Sequence, residues 1–94
     1  MFTRPAVKSQ RAHEAEALAL GALGWILTDE RRAERLLSLT GLTPERLRHG
    51  IEERAVQAAV LEFLSGHEPD LVLAADALNV EPAAIIAAHR ELSE

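Results

Sequence analysis

An uncharged run of twelve residues, 17–28 (ALALGALGWILT), constrains the fold more than any other part of this chain. The run is too short to span a membrane, which takes roughly 20 apolar residues. Glu14 and Glu16 adjoin it and no small-residue cleavage site follows it, which argues against an exported signal sequence. In a chain in which 27% of residues are charged, we expect this run to form a buried helix surrounded by others.

The length of 94 residues predicts a single helical domain over residues 1–94, with residues 1–8 flexible. Ala and Leu dominate the apolar residues and aromatics make up only 3%, which favours helices over strands. The absence of cysteine excludes disulfides, thiolate zinc sites and cysteine nucleophiles, and it is compatible with the cytoplasm.

Capping signals divide the chain into helices. Ser9 is the predicted N-cap of the first helix, and Thr28 or Asp29 of the second. Gly41 should end the second helix in the left-handed conformation, and Pro44 should begin a short third one. The other helices are expected at residues 10–27, 52–65, 69–78 and 82–92, with an inward stripe on each.

Two segments share one turn pattern at an offset of 38 residues, LTGLTPERL (39–47) and ALNVEPAAI (77–85). In each, a left-handed residue, Gly41 or Asn79, precedes an apolar residue, a cap and a proline. Two independent hairpins with the same turn chemistry would also look alike, so duplication stays open. The predicted fold is all-α: a compact bundle of five to six helices in which central helix 1 is enclosed by two helix-turn-helix hairpins.

The second hairpin has the residue pattern of a DNA-binding helix-turn-helix, with an alanine in its first helix, a tight turn, an apolar residue, a cap and a proline. The second presents Pro82, Ala83 and Ala87 where a recognition helix needs polar side chains, and residues 55–94 hold one Arg against seven acids, a net charge of −6. The first hairpin is richer in arginine, although interleaved acids are more typical of solvated ion pairs. Trp25 is either a core anchor or a partner contact. The candidate partner or anion contacts are Trp25, Arg31, Arg35, Arg46 and Arg48.

No motif indicates catalysis, a cofactor or a metal. The four histidines, at positions 13, 49, 67 and 89, have no pair three or four residues apart. Asp76 is the one acid set among apolar neighbours, and burial would give it a functional role, although an outward position is the ordinary expectation. We therefore predict no catalytic residue, no cofactor site, no metal site and no enzyme activity.

The alanine-rich helices leave another possibility, an apolar face on helices 1 and 6 that meets a second chain. We expect a non-enzymatic protein–protein interaction or adaptor module, cytoplasmic and away from membranes, that binds another protein or itself. The alternative is a nucleic-acid-associated regulator that uses the arginine-rich first hairpin. A regulator needs one contiguous basic face, whereas an interaction module needs an uncovered apolar patch.

Residues 25–48 (WILTDERRAERLLSLTGLTPERLR) and 55–82 (AVQAAVLEFLSGHEPDLVLAADALNVEP) resemble the alphaproteobacterial family catalogued as domain of unknown function 3572. The resemblance extends over about residues 17–92, and its distinctive parts are LSLTGLTPERLR and LEFLSGHEPDLVLAADAL. It implies an all-helical, cytoplasmic bacterial protein. It provides no catalytic residues to carry over to this chain, because no function is assigned to the family.

Overall fold

Prolines and capping residues divide the chain into six α-helices in the computed structural model, which describes residues 5–94 and their side chains from residue 10. No strand occurs within the described residues, so the predicted all-α bundle is confirmed. The helices are α1 (Pro5–Ile26), α2 (Glu30–Thr40), α3 (Pro44–Gly50), α4 (Arg54–Ser65), α5 (Glu68–Leu78) and α6 (Pro82–Ser93).

The first helix begins earlier than the sequence pattern predicts. Pro5 is its first residue, a position where proline's missing N–H costs no hydrogen bond. Ser9 therefore lies inside α1, and its prediction as the N-cap is wrong. The flexibility of residues 1–8 stays a prediction, since residues 1–4 lie outside the described part of the chain.

The first hairpin turn is built as predicted. The Asp29 side chain caps α2 by accepting a hydrogen bond from the Arg32 backbone N–H at 3.0 Å. Gly41 ends α2 with a φ of 76°, and its N–H bonds to the Leu37 carbonyl at 2.9 Å. Thr43 then accepts from the backbone N–H of Arg46 at 3.0 Å, which starts α3. Local side-chain chemistry thus fixes both helix ends.

The second turn has the same left-handed backbone conformation at the end of its first helix, with different residues. Asn79 adopts a φ of 59°, the only positive φ of a non-glycine residue among those described. The Val80 N–H reaches back to the Ala75 carbonyl at 2.9 Å, as in a Schellman motif. Glu81 makes no side-chain capping bond, unlike Thr43 in the first turn. The turns agree in backbone conformation and differ in capping, and a true duplication stays a prediction.

The core lies where α1, α4 and α6 meet. These three helices form the most extensive contacts, and α1 also touches α2 and α5. Half of the residues of α4 are buried, more than in any other helix described. The fully buried larger side chains are Ile26, Leu36, Val60, Leu61, Leu64 and Ile85.

The apolar run of α1 is not enclosed on every side, which corrects the prediction. Ala17, Leu20, Gly24 and Leu27 form a stripe that faces away from the core and is exposed to solvent. Of the two glycines in this run, only Gly21 lies close to another helix: a Cβ there would lie 3.1 Å from the Leu78 side chain, whereas a Cβ at Gly24 would have no neighbour within 4 Å.

Gln57 is a polar side chain buried in α4. It is 3% exposed, and its amide nitrogen donates to the Ile51 carbonyl at 3.0 Å. The helix starts at Arg54, because Glu53 takes the extended N-cap conformation. The buried amide therefore ties the α3–α4 turn to the start of α4.

The molecule is elongated, with principal extents of 50 × 27 × 19 Å.

No single helix among the described residues is long and apolar enough to cross a membrane. Taken together, α5 and α6 have the length and composition of a membrane span, but the chain bends by 100° where they join.

Candidate functional site

An open groove of about 860 Å³ runs between α1 and α6. Ala15 and Ala88 are buried at its base. Leu18 of α1 and Ala84 of α6 add to the apolar lining. Because alanines supply so much of this surface, the two helices pack closely below and leave space unfilled above them.

The second hairpin completes the apolar lining of the groove. Leu78 is the last residue of α5, and Val80 follows Asn79 in the turn. The left-handed conformation of Asn79 turns the chain so that Val80 packs back against the core. A sequence signal for the turn therefore also shapes the site.

Five charged residues line the groove, and no ion pair joins them among the described side chains. Arg11 and Glu14 come from α1, and Arg90, Glu91 and Glu94 from α6. Three carboxylates thus stand against two guanidinium groups. The groove combines an apolar lining with unpaired charges, which is the composition of a binding cleft.

Large apolar side chains are also exposed outside the groove. They occur on four of the six helices or just beyond their ends, so the uncovered apolar surface is not confined to one spot. Their exposed fractions are 43% for Leu20, 52% for Leu27, 73% for Leu39, 48% for Val72, 55% for Leu73 and 38% for Ile86.

The predicted arginine contacts differ in whether an acid pairs with them. Arg35 forms an ion pair with Asp70, and Arg46 forms one with Glu53. Arg31 and Arg48 are exposed and have no acidic partner among the described residues. Two of the four candidate cations are therefore engaged in holding the fold together.

The Arg46–Glu53 pair bridges α3 and the N-cap of α4, with the guanidinium nitrogen 2.6 Å from the carboxylate oxygen. This hydrogen bond and the opposite charge lower the pKa of Glu53 below its ordinary 4.5 and raise the pKa of Arg46. The arginine passes over Gly50, where a Cβ would collide with its guanidinium group. A side chain at position 50 would therefore require the Arg46 side chain to move.

The buried acid of this protein is Asp70, which the sequence pattern did not single out. It is 5% exposed, pairs with Arg35 of α2, and lies with Oδ2 3.0 Å from Nδ1 of His67. Asp76, the residue considered for burial, is exposed. The proximity of His67 to Asp70 is visible in the sequence as an i, i+3 spacing, but Arg35 is 35 residues away and nothing local indicates it.

Trp25 is partly buried and packs against the core, while one face of its indole is covered by Arg32. The guanidinium carbon lies 3.6 Å from the ring centroid, a cation–π distance. Arg32 also donates to the Trp25 carbonyl at 2.8 Å and to the Thr28 hydroxyl at 3.0 Å. These contacts of Arg32 with Trp25 and Thr28 thus link α2 to the end of α1.

No group of three or more potential metal ligands occurs in the part of the chain that the structure describes. His13 lies 4.0 Å from Glu16, and His67 contacts Asp70. The predictions of no metal, no cofactor and no catalytic residue stay predictions.

Comparison with known proteins gives one match. A family model described as "Protein of unknown function (DUF3572)" matches residues 12–94. No curated protein and no solved structure matches the chain. The match confirms the resemblance seen in the sequence, while the alphaproteobacterial origin stays a prediction.

Proposed function

We propose that this chain, which belongs to the DUF3572 family, is a non-enzymatic protein–protein interaction module whose groove between α1 and α6 binds an amphipathic helix of a partner protein. We place it in the bacterial cytoplasm, where a chain without cysteine needs no oxidising compartment. The observation that carries the proposal is the open, alanine-based apolar groove.

The groove suits a helix better than a flat surface or a small polar ligand. Ala84 and Ala88 follow each other one turn apart along α6, and Ala15 and Leu18 do so along α1. Two such rows accept the apolar side chains that a bound helix presents at positions i, i+3 and i+4. Small side chains also let the backbone of the incoming helix approach closely.

Charge indicates the chemistry of the partner. Carboxylates outnumber guanidinium groups three to two among the residues that line the groove. The net charge is −6 over residues 55–94 and −5 over the whole chain. A partner helix with basic residues beside its apolar face meets this surface with complementary charge.

The nucleic-acid alternative gains no support from the fold. Arg35 and Arg46 are paired with acids, and Arg32 is stacked on Trp25. A polyanion needs several unpaired cations on one face, and of the four candidate arginines only Arg31 and Arg48 have no acidic partner among the described residues.

The proposal is tested by filling the groove. Ala87 and Ala83 are both exposed on α6, but only Ala87 lines the groove. We expect Ala87→Trp to abolish capture of a specific protein from the native cytoplasm, identified by mass spectrometry, and Ala83→Trp to retain it. The captured protein must then bind the purified chain in calorimetry, with a fragment containing its basic amphipathic helix sufficient. Equal capture by both variants, or no partner with either, would contradict the proposal.

A further inference from the structure

The outward stripe of α1 has the spacing of a helix–helix seam. Ala17, Leu20, Gly24 and Leu27 follow one another at intervals of three, four and three residues, the a and d positions of a heptad. All four are exposed, and Leu20 and Leu27 are 43% and 52% exposed. No charged residue interrupts the stripe.

Helical geometry holds along the whole stripe. Leu27 follows the last residue of α1, and its N–H still bonds to the Leu23 carbonyl at 3.0 Å. Gly24 has open space on its outer side, with no atom within 4 Å of where a Cβ would lie. The stripe therefore presents a small residue and a leucine in alternation, with room for a neighbouring helix at the small positions.

We infer that a second copy of this chain packs antiparallel on this stripe, around a two-fold axis that crosses the stripe between Leu20 and Gly24, level with residue 22. In that order Ala17 lies opposite Leu27 of the copy, and Leu20 lies opposite Gly24, because both pairs are centred on residue 22. Each leucine then enters the space left by a small residue, and each contact occurs twice, as a two-fold interface requires. A parallel order sets leucine against leucine and glycine against glycine.

The alternation of small and large residues selects a second copy over an unrelated helix. The same four positions supply both the leucines and the small residues that leave space for them, so the stripe is complementary to itself only when the two copies run antiparallel.

The size of the seam sets the strength of the dimer. Ten residue steps at a rise of 1.5 Å give a length of about 15 Å, too short for the roughly 800 Å² per partner of a standard stable interface. The dimer is therefore weak and concentration-dependent. Because each copy carries −5 and the seam is apolar, added salt screens the repulsion and strengthens the association.

Single-cysteine variants test the register directly, since the chain has no cysteine of its own. We expect a mixture of Leu20→Cys and Gly24→Cys proteins to form a disulfide-linked dimer under mild oxidation faster than either protein alone. Leu73→Cys, at a site 55% exposed on α5, is the matched control. Faster linkage of Leu20→Cys with itself, or a mixed yield no higher than the control, would overturn the inference.

Sedimentation equilibrium of the full chain gives a second readout. Leu27→Glu should raise the dimer dissociation constant about tenfold or more, whereas Leu73→Glu, of similar exposure, should leave it unchanged. A wild-type chain that stays monomeric at millimolar concentration in high salt also overturns the inference. Leu27 does not line the groove, so the Leu27→Glu variant should still capture the partner when it no longer dimerises.

Discussion

At the scale of single residues, the backbone conformation of Gly41 and the burial of the Asp70 side chain are only partly explained by their neighbours in sequence. Gly41 must be left-handed because α2 ends there and the chain reverses. The Asp70 carboxylate can be buried because Arg35 and His67 both contact it. In both cases the local requirement is specific enough to be tested by one substitution and one matched control.

Replacing Gly41 by Val should destabilise the protein by more than about 1 kcal/mol, because a β-branched residue at a φ of 76° is strained. No atom lies within 4 Å of the added Cβ, so the cost is conformational rather than a clash. Gly41→Asn should cost less, since Asn79 takes the same conformation in the second turn. Urea denaturation of the three proteins measures this, and equal midpoints for Val and Gly would rule out the left-handed turn.

Replacing Asp70 by Asn should destabilise the fold by about 1 to 3 kcal/mol, because Arg35 loses a charge-assisted hydrogen bond at a buried site. Asp76→Asn removes the same charge from an exposed position of the same helix and should change stability by about 0.5 kcal/mol or less. Thermal and urea unfolding of the two variants make the comparison. Similar losses in both would show that Asp70 is not the structural acid.

At the scale of secondary-structure elements, α1 has two faces that the sequence does not distinguish. Leu23 is 5% exposed and faces the core, while Leu20, one turn earlier, is 43% exposed. Leu23→Ala should therefore cost about 2 to 5 kcal/mol, and Leu20→Ala less than about 1 kcal/mol. Denaturation at a dilution where the chain is monomeric measures both, and equal costs would place α1 differently.

The α3–α4 junction should respond to acid through Glu53. Its pKa is lowered in the folded state by the Arg46 hydrogen bond and charge, so the pair stabilises the fold at pH values above 4.5, and that contribution disappears as the pH falls through the folded-state pKa. Glu53→Gln should be less stable than wild type at pH 7 and should converge with it in acid. Glu52→Gln, at the exposed neighbouring position, is the control for urea midpoints between pH 7 and 3. Parallel pH curves for wild type and Glu53→Gln would count against the pair.

The features that the sequence predicted are those set by adjacent residues. Asp29, Gly41 and Asn79 act on backbone groups within five positions, so the capping pattern was sufficient to place them. The orientation of Gln57 and the partner of Asp70 depend on how helices cross, which no local pattern records. The same holds for the groove: the sequence indicated an apolar face on helices 1 and 6, but the lining residues follow from tertiary packing.

The exposed stripe of α1 was missed for a different reason. A helix face is normally recognised because polar residues mark its solvent side. Periodicity predicts an inward stripe on this helix, but in residues 17–27 every side chain is apolar or absent, so no polar residue marks the opposite side as exposed to solvent. An apolar exterior on a helix of this kind therefore becomes visible only when the other helices have been placed.

At the scale of the whole molecule, charge separates the two functional classes. The chain carries −5 and its first hairpin pairs Arg35 and Arg46 with acids. We expect no measurable binding of a random DNA duplex at about 0.15 M salt by fluorescence anisotropy. An Arg31→Ala, Arg48→Ala double variant should behave like wild type. Salt-dependent binding that this variant loses would favour the nucleic-acid regulator instead.

Ala17 has a place in both surfaces, since it lines the groove and begins the outward stripe of α1. A helix that covers Ala17 from the groove and a second copy that covers it from the stripe cannot both do so fully. Occupancy at one surface then lowers the affinity at the other by the same factor. Raising the concentration of this protein would consequently weaken its apparent affinity for the partner, and an excess of partner would dissociate the dimer into monomeric complexes.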